Sequence, residues 1–248
     1  MFKYLLTKSR IEKKTEKGKL ELQEEKFKSI LKFAQSVLDT TENHNTYKRH
    51  YSKGNEHPIL DVIRFVGRPT QTKCLTSLLY HEDESDLDLT KMFLDNTTSV
   101  ASDGKRIYNL KKEVKTTKEV RLNKDLIFPL PWKRRRLISA ISYIGEGRPW
   151  GQWKNDNRNH FVELWLPLGI TWVNNGNHSI AAGILQGVGT TIKPECTYDV
   201  SEFYKYIYTD GRYYIRKEDN LIIAPVEDVE FAAIFEIGRL MVKNSISF

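Results

Sequence analysis

The chain has 248 residues and carries 39 Lys and Arg against 32 Asp and Glu, a formal charge of +7 at pH 7. Hydrophobic residues make up 40% and charged residues 29%, which argues against a disordered chain and supplies core for one large domain, and the positive excess favours phosphate-bearing partners without requiring them. Cys74 and Cys196 stand far apart and form no CxxC pair, and no stretch approaches the ~18 apolar residues of a membrane span or the apolar run of a signal peptide, so the reading excludes a disulfide scaffold, a zinc site and a membrane protein and expects a soluble, cytoplasmic one.

Met1 to Lys32 holds ten Lys or Arg against five Glu, a basic lead-in that reads as a solvated helix face or a phosphate-contacting arm. Phe27, Ile30, Leu31, Ala34, Val37 and Leu38 then fall on one face of a helix that should end in "DTTENHN". In "NEHPILDVIRFVGRP", Pro58 suits a first helical turn and Gly67 a helix stop, and a second short helix is expected around Leu75 to Tyr80. "HEDESDLDL", His81 to Leu89, packs five carboxylates into its first eight residues; His81, Glu82, Asp83 and Asp86 are metal-ligand candidates, against the plainer reading of a solvated loop. Asp103-Gly104 predicts a hairpin with Ile107, Tyr108 and Leu110 in its second strand.

The second half alternates more clearly. "LIFPLP" is extended before Pro129 and Pro131, and a helix over about Lys133 to Ile144 should bury Leu137, Ile138, Ile141 and Ile144 and stop at Gly145. "HFVELWLP" and "ITWV" are strands, "TTIKPECTYDV" is extended, and "SEFYKYIYTDGRYYIRKEDNLIIAP" reads as a short helix, a turn at Asp210-Gly211 and strands. Tyr204, Tyr206, Tyr208, Tyr213 and Tyr214 crowd that turn, where they either pack sheet faces or stack on bases. A terminal helix from Val226 should bury Phe231, Ile234, Phe235 and Gly238. The fold class is therefore α+β, with a helical region over residues 1–120 ending in a hairpin and a mixed α/β domain over 121–248.

One stretch carries chemistry. "ITWVNNGNHSIAAGIL" takes a strand through a Gly turn directly into a helix, whose first backbone N–H groups have no partners within it. An anion can satisfy them, the helix dipole favours it, and Asn175, Gly176, Asn177, His178 and Ser179 supply the surrounding polar atoms. The plainer alternative is a capped strand-to-helix turn in which His178 packs locally.

This stretch resembles the strand, Gly-turn and helix box of the ParB and sulfiredoxin-like superfamily, which binds nucleotide phosphates. Gly176 matches its glycine, Asn177 and His178 its Asn-His variant and Ala182 its small helical residue, and "FPLPWKRRRLISAISYIGEG" is similar to its earlier Pro/Arg box. The resemblance covers about Leu126 to Pro194 and implies a nucleotide ligand, with Arg134 or Arg136 facing it. The whole chain also resembles an uncharacterised bacterial and phage family of similar length, which implies no activity. Ser179 stands where the superfamily has Arg, and Asn175 and Asn177 stand where it has carboxylates. No cysteine occupies the sulfiredoxin-like place. Binding of nucleotide or nucleic-acid phosphate is thus expected without hydrolysis, and His178 is the acid/base if there is a reaction. Two other readings stand beside it: a protein-interaction module of a phage or mobile element, and DNA binding through the basic arm from Met1 to Lys19.

Overall fold

The computed structural model describes residues 2–43, 56–80 and 92–248, with side chains from residue 17 onward. Among these residues the helices are α1 (Phe2–Asn43), α2 (Ile59–Tyr80), α3 (Ile107–Leu110), α4 (Arg134–Tyr143), α5 (Asn177–Leu185), α6 (Phe203–Tyr206) and α7 (Val229–Lys243). The strands are β1 (Lys112–Glu113), β2 (Val120–Arg121), β3 (Leu126–Phe128), β4 (Phe161–Leu166), β5 (Ile170–Asn175), β6 (Thr191–Ile192), β7 (Cys196–Asp199), β8 (Ile207–Thr209), β9 (Tyr213–Arg216) and β10 (Ile222–Pro225). The fold is α+β.

The central sheet runs β1-β7-β4-β5-β3, beside a three-stranded sheet β10-β9-β8 and a small pair β2-β6. β4 and β5 are antiparallel neighbours, and each has a parallel partner on its other side, β7 and β3 respectively. Register puts Phe128, Trp172 and Glu163 side by side, so with Trp165 two residues further along β4 they share one face of the pleat. Phe231 of α7 packs on that face with its ring 5.6 Å from Trp172, and Phe93 sits among Trp165, Phe203, Tyr214 and Phe235. The predicted burial of Phe231, Ile234, Phe235 and Gly238 holds, because α7 lies between the sheet and helices α1 and α2. Asp228 caps α7 by accepting the Phe231 N–H, and the same carboxylate takes the Thr70 hydroxyl and Lys73 ammonium, which ties α2 to α7.

Several expectations are corrected. Gly67 does not end a helix: α2 runs unbroken from Ile59 to Tyr80 through Gly67 and Pro69, and the separate helix from Leu75 is its last part. A Cβ at Gly67 would lie 2.2 Å from Cδ2 of the buried Leu126, so the glycine serves the approach of α2 to β3. Burial of Ile59, Ile63, Val66 and Cys74 along α2 outweighs the N–H that Pro69 lacks. Asp103-Gly104 does turn the chain, yet only one bridge forms, between Ser99 and Arg106. Ile107 and Leu110 then lie in the single turn α3, where spacing three apart buries both on one side. On α4, Leu137 and Ala140 are buried but Ile138 and Ile141 are 56% and 40% exposed, because only the face toward α5 is covered.

α1 bears out its predicted face, with Phe27, Ala34 and Leu38 buried, and it reaches back to Phe2. Tyr204 and Tyr214 belong to the core rather than to a stacking surface. The carboxylate run His81 to Leu89 lies outside the described residues; among the described ones no three potential metal ligands gather. No described helix is long and apolar enough to cross a membrane.

Gly67→Ala should cost about 1–3 kcal/mol through overpacking against Leu126, whereas Gly18→Ala, on α1 with nothing within 4 Å, should gain up to about 1 kcal/mol. Denaturant unfolding of the two variants checks the pair. Equal effects would contradict the close α2–β3 contact.

Candidate functional site

The polar row at the end of β5 becomes a site because of one backbone conformation. Gly176 has φ +82°, in the left-handed region, and no room for a side chain: a Cβ would lie 2.6 Å from Cδ2 of His160 and 2.8 Å from the carbonyl oxygen of Asn159. The β4–β5 pairing makes this crowding, since Phe161 opposes Asn175 and so brings the two residues before β4 against the turn. From Gly176 the chain enters α5 without a side-chain cap, and the first intrahelical bond runs from Ile180 N–H to Gly176 O. The N–H groups of Asn177, His178 and Ser179 precede that bond, and these three residues line a cleft of about 610 Å³ between α4 and α5.

The cleft is cationic. Lys133, Arg135 and Arg136 line it, no Asp or Glu does, and none of the three makes an ion pair among the described residues. Arg136 is among the residues that line the cleft. Arg134 is not among the lining residues, and Arg135 takes the place expected of it, because the cleft-facing side of α4 carries Arg135, Arg136, Ser139 and Ala140 at helical spacing. Trp132 and Trp150 complete the walls.

The polar side chains are used differently from the sequence expectation. Asn177 turns its Oδ1 to the Leu130 N–H at 2.6 Å, bracing the strand exit of β3 and leaving its amide nitrogen without a protein partner among the described residues. His178 Nε2 accepts the Lys133 N–H at 3.2 Å, so its proton sits on Nδ1, and the ring meets Trp132 edge-on at 4.6 Å. Burial, then the charge of Arg136, holds His178 below the ordinary histidine range, so it is neutral at pH 7. With Nε2 committed to a backbone donor and Nδ1 protonated, His178 offers a hydrogen bond rather than a base. Asn175 is half-buried and its amide donates to Asn159 at 3.5 Å.

Ser179 is the clearest correction. Its hydroxyl does not point donors at a ligand: it donates to Gly176 O at 3.0 Å and accepts from His160 Nε2 at 2.8 Å. His160 is in the wrong tautomer to activate it, because Nδ1 accepts the Asp156 N–H at 3.0 Å and the proton must therefore be on Nε2. Burial also depresses the His160 pKa, and Trp153 stacks on the ring at 4.9 Å and 9° while donating its indole N–H to Ser179 O. His160, Asn159 and Trp153 form the support of the turn. Sequence reading passed over His160 because it stands nineteen residues before Ser179 in a stretch with no motif.

The protein is thus α+β, with a cleft lined by three cations at the N-terminus of α5. The chain belongs to a family of unknown function (DUF6710), whose model matches residues 12–248. No curated protein and no solved structure matches it.

His160 is neutral and buried, so the unfolded chain takes up a proton near pH 6.5 that the folded one refuses. Its stabilising contribution is complete above that value and is lost as pH falls below it, and His57 and His178 carry the same sign. Unfolding free energy should fall between pH 7 and 5.5, and His160→Gln should reduce that slope. An unchanged slope would mean that His160 titrates normally.

Proposed function

We propose that the protein holds a phosphate-bearing ligand, a nucleotide or a nucleic-acid phosphate, at the N-terminus of α5 and does not hydrolyse it. The observation that carries this reading is the coincidence of three free backbone N–H groups with Lys133, Arg135 and Arg136 around a cleft lined by no carboxylate. Helix-terminal amides favour anions, and guanidinium groups add charge-assisted hydrogen bonds to phosphate oxygens. The amide nitrogen of Asn177 and the Nδ1–H of His178 are two further donors. The groups of the turn left without a protein partner among the described residues are donors, and none is placed to deprotonate a water.

The order of elements supports a relation to the ParB and sulfiredoxin-like superfamily. An extended Pro segment leads into α4, a Gly-ended helix, which is followed by the antiparallel pair β4–β5, the left-handed glycine and α5. That relation is part of the proposal and rests on this order and on the residues of the turn.

Isothermal titration with inorganic pyrophosphate and with ATP at low salt is the test. Both should bind, more weakly as salt rises, and Arg136→Gln should weaken binding about tenfold, the order of one charge-assisted contact. Phosphorus NMR should show the ATP intact after prolonged incubation. Absence of pyrophosphate binding at millimolar concentration would refute the reading.

A second reading, a protein-interaction module, is favoured by one observation. Phe33 of α1 and Phe65 of α2 are both exposed and lie 6.4 Å apart ring to ring. A protein that is monomeric and captures no partner through this pair would count against it.

A further inference from the structure

The cleft at α5 is lined, besides its cations, by an exposed aromatic ring. Trp150 lines the cleft and is 63% exposed. The other tryptophans near the turn are occupied: Trp153 is buried on His160, and Trp132 lies between the His178 edge and the Arg136 guanidinium, whose carbon is 5.7 Å from its ring centre. Among the described residues Trp150 makes one aromatic contact, tilted against Tyr143 at 5.1 Å.

The exposed ring is nevertheless held in place. The loop after α4 closes on itself through Gly145 N–H to Gly151 O at 2.8 Å and Gly151 N–H to Arg148 O at 2.9 Å. Trp150 N–H returns to Tyr143 O at 2.8 Å, at the last residue of α4. Arg148 donates to the carbonyls of Ile141 and Ile144 and caps the helix. A large apolar ring kept in solvent by this many backbone bonds is costly unless something covers it, and it loses little conformational freedom when that happens.

We propose that Trp150 is a stacking platform for a nucleobase whose phosphate lies at the α5 N-terminus, so that the ligand of this cleft is a nucleoside phosphate unit, free or at the end of a single strand. The inference rests on the phosphate reading above and adds to it the base. About 610 Å³ suits a mononucleotide, and it is more than a bare phosphate needs. Stacking uses the face of any base, so the platform tolerates all four and excludes paired bases, whose faces are covered in a duplex.

Fluorescence and calorimetric titrations of the full chain with pyrophosphate, AMP, CMP, a short 5′-phosphorylated single-stranded oligonucleotide and its duplex test this. AMP and CMP should bind with similar affinity and quench tryptophan emission. Trp150→Ala should weaken both at least fivefold and leave pyrophosphate unchanged, with Trp150→Phe restoring part of the loss. Tighter binding of the oligonucleotide than of AMP assigns the site to strands, the reverse assigns it to free nucleotides, and each supports the base platform. Pyrophosphate binding with AMP affinity unaltered in Trp150→Ala would overturn the platform and leave the phosphate site standing. Equal binding of duplex and single strand would also overturn it. Failure of every probe, pyrophosphate included, would remove both.

Discussion

The arrangement depends on the left-handed backbone at Gly176. The β4–β5 register drives Asn159 and His160 into the space that a side chain at this position would need, and only a residue without one can carry the chain from β5 into α5 there. The first three residues of α5 then line the cleft beside α4, and the Ser179 hydroxyl, bonded to Gly176 O and held by His160, keeps the turn from relaxing. The hydrogen bonds from Leu130 to Asn177 and from Lys133 to His178 then attach the segment between β3 and α4 to the same turn. The N-terminus of α5 and the cationic wall are thus parts of one bonded unit.

In that unit a serine and two histidines stand close together without forming a hydroxyl–base pair. Catalysis would require a nitrogen free to accept a proton next to a hydroxyl free to lose one. Both accepting nitrogens, Nε2 of His178 and Nδ1 of His160, are instead taken by backbone N–H groups of Lys133 and Asp156. The Ser179 hydroxyl spends its proton on a carbonyl. The groups left without a protein partner among the described residues are donors and positive charges, which is what the proposed anion reading needs.

Local features of the sequence made the site legible and long-range ones did not. The strand, the glycine and the small residues Ala181, Ala182 and Gly183 lie within one stretch, so the turn and its helix could be read directly, and so could the buried face of α7. Gly67 and Pro69 look like breakers when read alone; their meaning comes from β3, nearly sixty residues away, whose Leu126 occupies the place of a side chain at Gly67. Ile138 and Ile141 continue an apolar pattern on α4, yet only the α5 side of that helix is covered, and burial needs a partner that periodicity cannot supply. The roles of His160 and Trp150 were illegible for the same reason, since one is set by the hairpin register and the other by a loop that closes through backbone bonds.

The central claim is that the α5 N-terminal amides meet phosphate, and a proton–nitrogen NMR titration with pyrophosphate tests it most directly. The account predicts saturable downfield shifts of the Asn177, His178 and Ser179 amide protons together with movement of the Arg135 and Arg136 side-chain signals. Shifts confined to the basic surface of α1, with the three amides unmoved, would contradict it.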